Sequence, residues 1–295
     1  MLKLATILTC VDETPASEGA ASLAALLAHE FGARVDVLGL APRPDYAGPV
    51  RRAADAVAHA VLSRGQPAVV LDLVHLAASP IARRAAAYDL VVLGADLHRR
   101  TVPLLGRPIV LHLVGHVRRP VIVVHGRPER LARVLVCVGG AAASLAPIRW
   151  GTEFAAAVGA RCDMLHVLEP VPLMYAALPR MVESADDLLH SRTEEGHVMR
   201  HAARCARRVG VECDVLVARG DVVVEAARVA REGEYDLIVG GSFYARPGVA
   251  KYAVGNLTSR LAMELPVPVL IVPSHFGRTA AERRAQRQWR QDWQR

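Results

Sequence analysis

The chain has 295 residues, of which 52% are hydrophobic and only 4% aromatic, with a formal net charge of +7. That length suits two ordinary domains with cores of Val, Leu, Ile and Ala, and no apolar run approaches the roughly 20 residues of a membrane span. The odd count of five cysteines, with no C-x-x-C spacing, argues against a disulfide framework or a zinc site, and the scattered arginines without interleaved aromatics argue against a nucleic-acid platform.

Short β-branched runs alternate with helical stretches from the start, the pattern of a parallel sheet covered on both faces. Strands are expected near Thr6 to Val11, Val35 to Leu40, Val69 to Val74, Leu90 to Leu93 and Val121 to Val124. The first helix is expected to take Thr14 as its cap and Pro15 in its first turn, to bury a stripe of Leu23, Leu26, Leu27 and Phe31, and to end at Gly32. A further helix is expected from Ser79 to Ala87, capped by Ser79.

Gly126 to Leu131 reads as a short linker, after which the pattern begins again. Strands are expected near Val134 to Val138, Asp163 to Val167, Cys213 to Val217, Leu237 to Val239 and Val269 to Val272. Trp150, Phe154 and Val158 precede Gly159 as the second copy of the first helix, and Asp221 caps a helix from Val223 to Arg231. An insertion, Glu169 to His197, opens with Pro170, Pro172 and Pro179, and Asp186 to Arg208 then reads as one helix. A basic tail with Trp289 and Trp293 follows.

The second half repeats the first. Gly32-Ala33-Arg34-Val35-Asp36 returns as Gly159-Ala160-Arg161-Cys162-Asp163, an offset of 127 residues. Tyr88-Asp89-Leu90-Val91-Val92 returns as Tyr235-Asp236-Leu237-Ile238-Val239, and Pro120-Val121-Ile122-Val123-Val124 as Pro268-Val269-Leu270-Ile271-Val272. Three matches in one order make the chain two duplicated domains, 1–127 and 131–274, with a tail of 275–295. Cys10 and Cys137 occupy matching places inside apolar runs and are expected to be buried.

In an open parallel sheet, ligands bind beyond the carboxyl ends of the strands where the strand order reverses. The loops that matter begin with Asp12-Glu13-Thr14 and Gly94-Ala95-Asp96 in the first copy, and with Gly139-Gly140-Ala141 and Gly241-Ser242-Phe243-Tyr244 in the second.

A first strand ending in Val-Asp, a fourth reading Asp-Leu-Ile-Val-x-Gly, a later Gly255-Asn256-Leu257-Thr258 and a closing Pro-Val-x-Ile-Val together resemble the universal stress protein family in its tandem form. The resemblance implies two α/β domains, each a doubly wound five-stranded parallel sheet in the order 3-2-1-4-5 flanked by helices. They would pack as a pseudo-dimer through Val121 to Val124 and Val269 to Val272.

Many members of that family bind ATP through a G-x2-G-x9-G-[ST] loop, whose glycines let backbone N–H groups approach a polyphosphate. The implied phosphate contacts are Gly241, Ser242, Gly255, Asn256 and Thr258. Tyr244 stands where the middle glycine belongs, the next spacer is one residue longer than the motif, and Asn256 replaces the hydroxyl residue. Val167 is expected to line a base pocket with its backbone, as Leu40 would in the first copy.

In the first copy Gly94 and Gly106 frame a shorter spacer, Leu97 replaces the middle glycine, and Arg107-Pro108 follows. That copy keeps Asp12, the family's nucleoside carboxylate, where the second has Gly139.

The expected function is a cytoplasmic stress-response protein that binds an adenine nucleotide, ATP, in its second domain for sensing or regulation, with Mg2+ only as the companion of ATP. Further partners would be a second copy in a homodimer and a protein whose identity the sequence leaves open. The alternative is a ligand-free interaction scaffold with crevices filled by Tyr244, Leu97 and Arg107. An enzyme is not expected. The pairs His112 and His116, and His197 and His201, lack a third metal ligand, Gly139 to Ser144 lacks the leading serine and aspartate of an adenylating loop, and no nucleophile and base share a strand end.

Overall fold

The computed structural model describes residues 2–72, 74–75, 78–97, 109–139, 144–169, 184–242, 250–274 and 276. By contact the chain divides into two units: Leu2–Leu131 together with Asn256–Ile271, and Ala132–Gly255 together with the described residues from Val272.

The first unit runs β1 (Thr6–Val11), α1 (Ala16–Phe31), β2 (Arg34–Ala41), a 3-10 turn (Pro44–Tyr46), α2 (Ala47–Leu62), β3 (Ala68–Val70), β4 (Val74–His75), α3 (Ala78–Ala85), β5 (Leu90–Gly94), α4 (Ile109–His116) and β6 (Val121–Val124). Its strands lie in the order β3-β2-β1-β5-β6, all parallel, with β4 also paired to β2. Both faces of β1, β5 and β6 are buried, which is why they read as continuous apolar runs instead of alternating ones.

The second unit runs β7 (Arg133–Cys137), α5 (Leu145–Val158), β8 (Arg161–Leu168), α6 (Ala185–His190), α7 (Glu194–Val209), β9 (Val215–Arg219), α8 (Val222–Glu232), β10 (Leu237–Ser242) and the start of α9 (Ala250–Glu264). Its parallel strands lie in the order β10-β7-β8-β9. The closing strand β11 (Val269–Pro273) pairs antiparallel with β6, Leu270 opposite Ile122, so the first unit's sheet gains a strand from the second copy. His125 Nε2 lies 2.8 Å from the carbonyl of Ala262 and ties α9 to the end of β6.

Both copies of the first helix end on a left-handed glycine, Gly32 at φ 63° and Gly159 at φ 68°, where a Cβ would be strained. Leu23 and Leu27 are fully buried along the predicted stripe, while Leu26 and Phe31 are only half-buried; in the second copy Phe154 is fully buried, Trp150 is buried and Val158 half-buried.

Several local expectations are corrected. Thr14 does not cap α1: the N-cap is Pro15, and the Thr14 hydroxyl turns back to Asp12. Ser79 lies inside α3, which starts at Ala78. The run Val69 to Val74 is not one strand but two, β3 and β4. The helix expected over Asp186 to Arg208 is two, because Ser184 and Thr193 each cap a helix start, Ser184 in a capping box with Asp187 and Thr193 by accepting from the Gly196 amide. β9 begins at Val215 and not Cys213, since the Asp163 carboxylate takes the Asp214 amide at 2.8 Å. Asp221 caps α8 as expected, accepting from the amides of Val223 and Val224. The front of the insertion at 170–183, Tyr244, Gly106 to Pro108 and the tail beyond 276 lie outside the described residues.

The repeated motifs build the same polar frame in each unit. Asp89 accepts from the amides of Ala5 and Thr6 in the first, and Asp236 from those of Ala132 and Arg133 in the second. Arg34 pairs with Asp36 and Arg161 with Asp163.

Candidate functional site

In the first unit the order of strands reverses between β1 and β5. Cys10 stands opposite Leu93, and the same register carries Val11 to Gly94 and Asp12 to Ala95 at the carboxyl ends. Asp12 is completely buried. Its Oδ1 accepts from the Thr14 amide at 2.9 Å and the Thr14 hydroxyl at 2.5 Å, and lies 3.1 Å from the Ser17 hydroxyl. Ser17 also accepts the Asp12 amide at 2.9 Å, so the β1–α1 loop is closed around this carboxylate.

Gly94 is a packing position. A Cβ there would come within 2.7 Å of the Ala16 carbonyl oxygen and 2.8 Å of the Ala16 Cβ. Leu97 is fully buried after the turn, and Leu40 is fully buried in β2. A groove of about 600 Å³ lies on this unit along α1 and α2, with Glu13, Ser17, Glu18, Arg52, Arg64 and Arg127 among its lining residues. Gly94 and Ala95 do not line it.

In the second unit the reversal falls between β7 and β10. Val239 stands opposite Val136, and continuing that register sets Gly241 beside Val138 and Ser242 beside Gly139. The loop after β7 keeps one element of the first copy: the Ser144 hydroxyl donates to the Gly139 carbonyl at 2.9 Å, as the Ser17 hydroxyl does to the Asp12 carbonyl at 3.0 Å. It has no carboxylate. On β8, Val167 is half-buried and paired with Ala218, and its neighbour His166 is buried with Nδ1 2.8 Å from the Val138 carbonyl oxygen.

Gly255, Asn256 and Thr258 lie in α9, which starts at Ala250, so they sit more than one turn inside the helix. The amides a phosphate meets at a helix N-terminus are those of the first turn, ahead of these residues. Thr258 is buried and its Oγ1 has no hydrogen-bond partner among the described residues.

Neither thiol near the strand ends is activated among the described residues. Cys10 is fully buried as expected and Cys137 only half-buried, and desolvation pushes both thiols up to about 12, which leaves them protonated near neutral pH. His197 Nδ1 lies 3.0 Å from the Arg200 guanidinium and His201 Nε2 3.3 Å from the Cys205 thiol, while the His112 side chain lies outside the described residues.

Residues 131–273 match the model of the universal stress protein family. The universal stress protein match thus runs from the start of β7 through β11. No curated protein matches the sequence. Among solved structures, a universal stress protein from Archaeoglobus fulgidus DSM 4304 is similar with a TM-score of 0.66 at 16% identity, over 91% of this chain and 96% of that one. A functionally unknown protein from Pseudomonas aeruginosa PAO1 is similar with a TM-score of 0.62 at 15% identity, over 98% of each chain. At such identities the likeness is one of fold, and it extends across both copies.

Sequence reasoning missed Ser17, Ser144 and His166. The two serines carry a signal, since they stand at the same offset of 127 that relates Gly32 to Gly159. His166 aligns with Gly39 at that offset, and only the fold shows its ring against the end of β7.

Proposed function

We propose that the chain is a cytoplasmic stress-response protein of tandem form, domains 1–127 and 131–274, that binds an adenine nucleotide in its second domain for sensing or regulation. The observation that carries this reading is the pair of strand ends at the second switch point. There Gly139 presents no side chain where the first copy has the buried Asp12, and the continued register sets Gly241 and Ser242 next to it. The family match over the same residues supports it. Gly241 and Ser242 are the proposed phosphate contacts, the backbone of Val167 the base contact, and Mg2+ accompanies ATP when it binds.

The test is acid release of small molecules from the isolated protein, followed by melting with and without ATP. An adenine absorbance, and a melting temperature that rises with ATP concentration, are expected. A clean blank with no thermal response, or an unchanged response in Gly241→Val, overturns the reading. Turnover is expected to be negligible, seen as no phosphate release above that of ATP alone.

A ligand-free scaffold is the better reading of the first domain. Its Asp12 is engaged by its own loop, and Leu97 is fully buried beside the switch point.

A further inference from the structure

The two crevices differ by an exchange of polar groups between neighbouring strands. In the first copy the end of β1 carries Asp12 and the end of β2 carries Gly39; in the second the end of β7 carries Gly139 and the end of β8 carries His166. Each pair is related by the offset of 127 residues. The exchange is sterically consistent, because a ring on β8 that reaches the Val138 carbonyl lies next to a residue with no side chain of its own.

The chemistry of the ring follows from its partner. A carbonyl oxygen only accepts, so Nδ1 must carry the proton at 2.8 Å from Val138, and in the neutral imidazole Nε2 is then an acceptor. Nε2 makes no hydrogen bond among the described residues. The side chain is buried at 6% exposure, and its tautomer is held by the backbone of the adjacent strand. An acceptor of fixed orientation at a strand end is suited to a neutral donor, such as a sugar hydroxyl or an exocyclic amine.

We infer that His166 is the hydrogen-bond acceptor of the second crevice, taking a hydroxyl or amino donor of a nucleoside. This rests on the nucleotide reading above. The residue acts on the nucleoside and not on the phosphates, so its removal weakens adenosine, AMP and ATP by one common factor.

The experiment is calorimetric titration of the full chain with adenosine, AMP and ATP, for the parent and His166→Ala. His166→Ala is expected to lose about tenfold in affinity for all three, the scale of one hydrogen bond. In the parent, the Nε2 nitrogen resonance of His166 is expected to move on adding adenosine, a readout independent of whether the variant folds. If the parent binds and neither the affinity of His166→Ala nor the Nε2 resonance changes, the assignment of His166 is overturned while the nucleotide reading stands. If the parent binds none of the three ligands, both fall.

Discussion

The Tyr235 hydroxyl donates to Asp163 Oδ2 at 2.6 Å, and 147 residues earlier, just ahead of the corresponding strand of the first copy, the Tyr88 hydroxyl donates to Asp36 Oδ2 at 2.8 Å. Tyrosine and aspartate are the most visible residues of the repeated motifs, and they are spent on each other. Burial and the neighbouring Asp36 push the Tyr88 phenol up to about 12, and burial and Asp163 push Tyr235 up likewise. Both therefore stay protonated donors throughout the physiological range.

Tyr235→Phe leaves Asp163 buried with one donor fewer. Hydrogen bonds to charged groups contribute about 1.5–3 kcal/mol, so a loss of that order is expected in chemical denaturation. Tyr88→Phe should act in the same direction on the first copy. An unchanged denaturation midpoint in both would remove the role given to the repeated motif.

The same cluster sets an acid limit. Burial alone would raise the Asp163 carboxyl, but hydrogen bonds from Tyr235, the Asp214 amide and Arg161 outweigh it and hold the carboxyl below its ordinary value. A group depressed on folding contributes stability that is present above its unfolded pKa, about 3.9, and is lost as pH falls through the lower folded value. Asp163→Asn should be less stable than the parent near neutral pH, with the difference shrinking on acidification below about 4. Melting temperatures recorded across that range check the convergence; a constant gap would contradict it.

Gly94→Ala should destabilise the protein by about 1–3 kcal/mol, the usual cost of overpacking a tight contact. The added methyl meets the backbone and side chain of Ala16, and neither can rotate away. An alanine variant as stable as the parent in urea would mean that α1 shifts freely, and Gly94 would lose its packing role.

Asp12→Ala removes the acceptor that gathers the Thr14 amide, the Thr14 hydroxyl and the Ser17 hydroxyl at the start of α1. Loss of an acceptor that leaves donors buried costs about 1–3 kcal/mol. ATP binding, which is assigned to the second domain, should be untouched. Calorimetry that shows ATP affinity falling with Asp12→Ala would move the site to the first copy.

Native Cys10 and Cys137 should resist a disulfide reagent at mildly alkaline pH, since burial holds both thiols near 12. Peptide mapping after brief labelling should find them modified only once the protein is unfolded. Rapid labelling of either in the native state would place its strand at a surface.

The ordering of strands and helices was legible because continuous apolar runs and glycine stops are local signals. β1 and β6 have the bounds the residues suggest, and Asp221 caps its helix. The candidate site was less legible. Asp12, Gly94 and Gly139 were singled out by position along the strands, yet what each touches depends on neighbours far from the motif. Gly94 is closed off by Ala16, and Asp12 is engaged by Thr14 and Ser17, while Gly139 faces a loop that keeps its serine but has no carboxylate.

By itself the sequence determined that three motifs recur in one order, that strands alternate with helices, and that glycines stand at the strand ends where a ligand would come. These follow from composition and spacing, which act over a few residues. Tertiary structure alone decided that β11 runs antiparallel to β6 with Leu270 opposite Ile122, that the repeated tyrosines serve the repeated aspartates, and that the His166 ring reaches the Val138 carbonyl where the other copy has Gly39. Those outcomes depend on which strands become neighbours, and side chains separated by tens of residues meet only after the sheet has assembled.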